Sequence, residues 1–318
     1  MTTAFVFPGQ GAQAVGMGRA LADAFPTARQ TFEEVDEALK QNLFRLMAEG
    51  PESELNLTEN AQPALVATSV ATLRIVLKDS GKSVLDLAAY VAGHSLGEYA
   101  ALAAAGAFSL ADAVRLVKRR GQAMQKAVPV GVGAMAALMG VELPQAEEIA
   151  GAARATPEGK SEVCSAANDN GGSQVVISGH KGAVERAVKI AAERGARRSV
   201  MLTVSAPFHC ALMQPAADAM EEALGQVAMA MPTVPLIANV TARPVSDAAT
   251  IRKQLVDQVT GLVRWRESVM HMVELGVHRQ VELGAGKVLT GLARRINREL
   301  DGVAINAPSD VESFLKSL

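Results

Sequence analysis

The chain has 318 residues, a formal charge of −2, 49% hydrophobic residues and only 3% aromatic ones. That balance gives no overall pull toward nucleic acid or a membrane surface, and no stretch reads as a membrane span. Cys164 and Cys210 have no metal-type spacing and read as buried free thiols of a cytoplasmic protein.

Ala4-Phe5-Val6-Phe7, closed by Pro8, lacks the basic flank and length of a signal sequence and reads as a buried first strand. The Gly-rich loop Phe7-Pro8-Gly9-Gln10-Gly11-Ala12-Gln13 follows it. It has the outline of a dinucleotide fingerprint, G-x-G-x-x-A, but Pro8 and two glutamines are foreign to that motif. The alternative is a loop in which the backbone N–H of Gln10 meets a developing anion. Gly16–Ala24 and Ala28–Leu39 read as helices interrupted at Pro26, and Gln62–Lys78 as a long amphipathic helix. Neither Gly81-Lys82-Ser83 nor Gly286-Lys287-Val288 completes a P-loop.

Ala88-Ala89-Tyr90-Val91-Ala92 is strand-like, Gly93-His94-Ser95-Leu96-Gly97 follows, and Glu98–Ala105 is an Ala/Leu-rich helical run. Strand, G-x-S-x-G and helix in that order is the context of a nucleophile elbow, which lifts the Ser95 hydroxyl clear of the backbone. The N–H of Leu96 then lies at a helix N-terminus, suited to an oxyanion. His94 is directed away from Ser95 by the turn and is expected to line the pocket. Leu110–Ala127 reads as a helix carrying Lys118, Arg119 and Arg120. Solvated charge is the simplest reading of these, but an inward Arg120 would present its planar fork to a substrate carboxylate.

From 129 to 204 the pattern becomes strand (Val132–Met139), helix (Pro144–Ala155), two strands (Glu162–Ala167, Gln174–Ser178) around a turn at Asn168–Gly172, helix (Gly182–Arg194) and strand (Ser199–Val204). That order is the ferredoxin-like unit. It predicts an inserted subdomain over 129–204, interrupting a larger α/β domain with a parallel sheet formed by 1–128 and 205–318. Beyond it, Leu212–Leu224 and Ile251–Gly276 read as helices, and Val234–Asn239 and Gln280–Leu283 as strands. Of the five histidines, His209 in Ser205-Ala206-Pro207-Phe208-His209-Cys210 is the favoured base, because loops leaving strand ends collect catalytic side chains. His180, His271 and His278 read as packing or surface residues.

Six segments in order closely resemble the malonyl-CoA:acyl carrier protein transacylases of type II fatty acid synthesis. They are Phe7–Gly11, Gly93–Tyr99, Arg119-Arg120-Gly121, Gly131–Ala137, Pro207-Phe208-His209 and Gly284–Leu292. The family's fold, a hydrolase-like α/β domain interrupted by a ferredoxin-like subdomain, agrees with the pattern above.

The resemblance implies that Ser95 carries the acyl group, His209 is its base and Arg120 binds the malonyl carboxylate. It implies an oxyanion hole from the N–H groups of Gln10 and Leu96, and a main-chain carbonyl, that of Gln258 or alternatively Gln254, orienting His209. Asn168 and Asn170 match a family Asn-x-Asn that contacts substrate or the nucleophile helix. Phe208, just before the histidine, goes with malonyl over methylmalonyl selection. The implied enzyme needs no cofactor or metal, uses malonyl-CoA and phosphopantetheinyl acyl carrier protein as substrates, and works as a monomer. Its acidic carrier implies a basic docking surface, with Lys181, Arg186, Lys189, Arg197, Arg198, Arg294, Arg295 and Arg298 as candidates. A serine thioesterase or esterase, a polyketide-pathway acyltransferase, an NAD-dependent dehydrogenase and a non-catalytic carrier-binding module are the competing readings.

Overall fold

A computed structural model describes residues 2–156 and 158–318. Among the described residues, ten strands fall into two sheets. These are β1 (Thr2–Phe7), β2 (Tyr90–Gly93), β3 (Gly133–Met139), β4 (Cys164–Gly171), β5 (Gln174–His180), β6 (Arg198–Met201), β7 (Leu236–Ile237), β8 (Pro244–Val245), β9 (Val277–Leu283) and β10 (Asp301–Ile305). The larger sheet has the order β10-β9-β1-β2-β7-β8 and is parallel except at β8. The smaller is antiparallel, in the order β4-β5-β3-β6. A mixed α/β chain with a parallel-dominated central sheet and a small antiparallel one is the expected fold class.

The parallel sheet decides where the site lies. β1 and β2 pair in register up to Phe7 and Gly93, so both strands end at one edge. The loops that leave them, 8–14 and 94–96, must therefore meet there. β7 pairs with β2 on the other side and delivers its following residues to the same edge. Ligand clefts of open α/β sheets form outside such carboxyl ends.

The helix Leu110–Ala127 starts where Ser109 Oγ accepts the Asp112 N–H at 3.0 Å. Its buried stripe includes Ala113, Val117, Arg120, Gly121 and Met124, which recur every three to four residues with Arg120 and Gly121 side by side. Arg120 is thus carried inward by the periodicity itself. A side chain at Gly121 would strike the backbone of Glu59 at 2.6 Å, so glycine lets the helix Thr58–Ser80 lie close alongside.

Several segments differ from the sequence expectation. Thr58–Ser80 is not amphipathic: every residue from Asn60 to Leu73 is buried. Its small Ala, Ser and Thr side chains fit a helix packed on all sides, and the Thr68 and Thr72 hydroxyls donate to carbonyls one turn back. Pro26 is the first residue of the helix Pro26–Leu39, where its missing N–H goes unneeded. The expected helix 251–276 is two helices, Ala248–Thr260 and Trp265–Glu274. Between them the chain is extended, with the Val263 N–H donating to Ala167 O and the Val263 carbonyl accepting the Asp169 N–H, both at 2.9 Å. Asn168, Asp169 and Asn170, expected in a turn, lie in β4, where Asn168 and Asp169 pair with Val176 and Val175 of β5. The strands expected at 199–204 and 234–239 shorten to β6 and β7, and β10 with the helix Pro308–Leu315 lies where no element was expected. Cys164 and Cys210 are buried and free. Among the described residues no helix is long and apolar enough to cross a membrane.

Candidate active site

Ser95 stands in the turn between β2 and the helix Gly97–Ala104 with φ of +53°, in the left-handed region that non-glycine residues rarely occupy. The turn closes only because its flanks lack side chains. A methyl group on Gly93 would collide with the Gly97 carbonyl, and one on Gly97 with the Phe7 carbonyl.

His209 also has a left-handed backbone, φ +58°, in the loop between β6 and the helix Gln214–Gly225. Its Nε2 lies 2.8 Å from Ser95 Oγ, and its Nδ1 lies 2.8 Å from the main-chain carbonyl of Gln258. A carbonyl only accepts, so Nδ1 carries the proton and Nε2 is left to accept from the hydroxyl. Burial, then the nearby Arg120 charge, hold the imidazole down at about 3, against the pull of its bond to Gln258. It is therefore neutral near pH 7, the state a base requires. Gln254 does not take this place, since the carbonyl at Nδ1 is that of Gln258.

Arg120 is 1% exposed. Its Nη1 donates to Gln62 Oε1 at 3.0 Å, and its Nη2 donates to Gln258 Oε1 at 2.8 Å and to Ser95 Oγ at 3.1 Å. Nε is buried with no acceptor among the described residues.

A layer below is held by residues the sequence did not single out. Asn239, after β7, accepts the Ser95 N–H on Oδ1 and donates from Nδ2 to Gly93 O, both at 2.7 Å. Glu98 accepts the Asn239 N–H at 2.6 Å on one oxygen and the Gln258 side-chain amide on the other. Gln258 Nε2 also donates to Ser95 O at 2.9 Å. Burial pushes the Glu98 carboxyl up to about 8. The only sequence signal for Glu98 was its place directly after the elbow, and for Asn239 none was available.

Above Ser95 opens a cleft of about 490 Å³, lined among others by Gln10, His94, Leu96, Arg120, Asn168, Phe208 and His209. Asn170 faces His94 instead: His94 Nε2 donates to Asn170 Oδ1 at 2.9 Å, and burial holds that imidazole below its ordinary range. The N–H groups of Gln10 and Leu96 have no acceptor among the described residues. Among the described residues no group of three or more His, Cys, Asp or Glu side chains could hold a metal ion. The loop after β1 does not open a helix, since the next one begins at Arg19. It therefore lacks the helix N-terminus on which a dinucleotide fingerprint depends.

Known proteins resemble this chain in both sequence and fold. A family described as acyl transferase domain matches residues 4–307. The malonyl CoA-acyl carrier protein transacylase of Salmonella typhimurium is 46% identical over 312 residues, covering 98% of each chain. That of Bacillus subtilis strain 168 is 43% identical, over 99% of this chain and 96% of its own. The crystal structure of acyl-carrier-protein-S-malonyltransferase from Bartonella henselae superposes with a TM-score of 0.95 at 52% identity, covering 100% of this chain and 99% of that one. A type II polyketide synthase acyl-carrier protein in complex with its malonyl-transacylase contains a chain similar at TM-score 0.94 and 41% identity, each fully covered.

Proposed function

The chain belongs to the acyl transferase family and, within it, to the malonyl-CoA:acyl carrier protein transacylases, and from that premise we propose that Ser95 carries the malonyl group between the two thiols. It is an acyltransferase that moves malonyl from malonyl-CoA to acyl carrier protein, the supply step of fatty acid synthesis. The observation that carries the serine-bound route is the contact between Ser95 Oγ and His209 Nε2 at 2.8 Å, with Nδ1 fixed on Gln258 O.

Malonyl-CoA enters with its carboxylate on Arg120. Ser95 Oγ attacks the thioester carbonyl carbon while its proton passes to His209 Nε2. The charge on the carbonyl oxygen meets the N–H groups of Leu96 and Gln10; losing one such donor typically costs about 10²–10³ in rate. The C–S bond breaks, and the departing CoA sulfur takes the proton from Nε2. The carrier's phosphopantetheine thiol then gives its proton to His209, attacks the malonyl ester, and Ser95 Oγ recovers the proton. No step draws on a metal or redox cofactor. Steady-state rates at several fixed concentrations of holo-carrier should give parallel double-reciprocal lines; intersecting lines would mean direct transfer and end this reading.

Arg120 separates this function from simple hydrolysis, because a thioesterase has no use for a buried cation beside its nucleophile. Phe208 lines the same cleft and is 8% exposed, so an α-methyl group on the substrate would crowd it. Malonyl-CoA should be preferred over methylmalonyl-CoA, and equal turnover of the two would remove that assignment.

The inserted unit over 129–204 and the helix Val288–Ile296 offer the carrier a basic face. Arg186 is held by Glu162 at 2.6 Å and Lys181 lies 4.0 Å from Glu185. Arg197, Arg198 and Arg295 instead line one cleft together with Gly172, Ser173 and Gln174. Charge reversal there should raise KM for the carrier alone; an equal rise for malonyl-CoA would rule the surface out.

A further inference from the structure

Arg120 touches the nucleophile it is expected to serve. Its three acceptors are two amide oxygens, from Gln62 and Gln258, and Ser95 Oγ itself. No carboxylate is among them. The nearest acid in the network, Glu98, is already bonded to Asn239 and to the Gln258 amide. With one Nη hydrogen committed to each glutamine, one hydrogen remains on each Nη nitrogen. The one on Nη2 lies against Ser95 Oγ.

The Ser95 hydroxyl proton is directed to His209 Nε2, because Nδ1 already donates to Gln258 O. One of the oxygen's two lone pairs is therefore bound by a cation, which draws electron density from the attacking atom. As the C–O bond forms, electron density leaves Oγ and the negative charge develops on the carbonyl oxygen, so Oγ becomes a poorer acceptor for Arg120. A contact present before reaction and weakened at the transition state raises the barrier. A carboxylate seated on Arg120 competes for the same Nη2 hydrogen, and it neutralises the charge that faces His209.

Resting on the transfer reaction proposed above, we propose that Arg120 restrains Ser95 until a carboxylate occupies its subsite, so that the carboxylate is an activator of the serine as well as a handle for binding. The preference for carboxylated thioesters then resides in the acylation rate and not only in affinity. A free carboxylate lent to an uncarboxylated thioester does part of the same work.

The test is the pre-steady-state release of CoA from acetyl-CoA by the wild-type enzyme, with sodium formate or sodium chloride at matched ionic strength. Formate is expected to raise the acylation rate saturably, on the order of tenfold, the worth of one charge-assisted hydrogen bond. The same formate should slow acylation by malonyl-CoA, whose own carboxylate it displaces. Arg120→Met should lose the formate response. An acetyl-CoA rate that formate leaves unchanged or lowers overturns the inference. The malonyl adduct on Ser95, read by intact mass in the same samples, keeps the two claims apart. If the adduct is absent the transfer mechanism fails, whereas a normal adduct with no formate activation overturns this inference alone.

Discussion

Gln258 meets His209 through its main-chain carbonyl, 2.8 Å from Nδ1, while its side-chain oxygen takes the Arg120 guanidinium at 2.8 Å. One residue thereby sets the proton position of the base and the direction of the cation. The two roles are separable, because only the second needs the side chain.

Gln258→Ala keeps the carbonyl and removes the amide. Acylation of Ser95 should persist, with KM for malonyl-CoA raised on the order of tenfold, the worth of one hydrogen bond to a charged group. Steady-state kinetics on protein of checked melting temperature reads the split. A loss in kcat as deep as that of His209→Ala would contradict it.

His209 is held at about 3, first by burial and then by Arg120. Its basic form is lost only as pH falls through that value, so kcat/KM for malonyl-CoA should stay level from pH 7 down to about pH 5, well below the ordinary histidine value of about 6.5. A rate profile with a midpoint at 6.5 would mean that the imidazole is not desolvated as the geometry requires.

The Glu98 carboxyl is raised from 4.5 to about 8 by burial. Between those values the folded chain keeps a proton that the unfolded chain has released. Stability owed to this group therefore falls as pH rises, by up to about 1.4 kcal/mol per pH unit. The difference in unfolding free energy between wild type and Glu98→Gln, followed by urea titration, should shift in favour of the variant from pH 5 to pH 8. A difference that does not change with pH would show that Glu98 is ionised throughout, with Asn239 and Gln258 meeting the cost of its burial.

Gly97→Ala would drive a methyl group into the Phe7 carbonyl. Relief requires parting β1 from the elbow, so both folded yield and Ser95 acylation should collapse together. A soluble variant of wild-type melting temperature and normal acylation would refute the packing argument.

Much of the site was readable from residue type and order. The elbow, the Gly-rich loop after β1, Arg120 on an apolar helix stripe and the Pro-containing loop at His209 each carry a local signal. The order of elements also foretold two kinds of sheet. What sequence did not disclose lies in contacts between distant segments. Val263 hydrogen-bonds to Ala167 and Asp169 on β4, a contact with a segment about ninety residues away that the turn-like run of Asn and Gly there does not announce. Asn239 reaches Ser95 because β7 lies beside β2, an adjacency that 144 residues of separation conceal. Glu98 looks like the first solvated residue of a helix, and only the packed structure shows it 2% exposed between two amides.

Every step of the transfer depends on malonyl resting covalently on Ser95 between donor and carrier. Intact mass spectrometry after brief exposure to malonyl-CoA, with Ser95→Ala beside the wild type and acetyl-CoA beside malonyl-CoA, tests it most directly. A single malonyl adduct is expected on the wild type, with weak labelling from acetyl-CoA, none on Ser95→Ala, and loss of the adduct when holo-carrier is added. Malonyl transfer to the carrier at an undiminished rate by Ser95→Ala, or an adduct that survives that substitution, would contradict it.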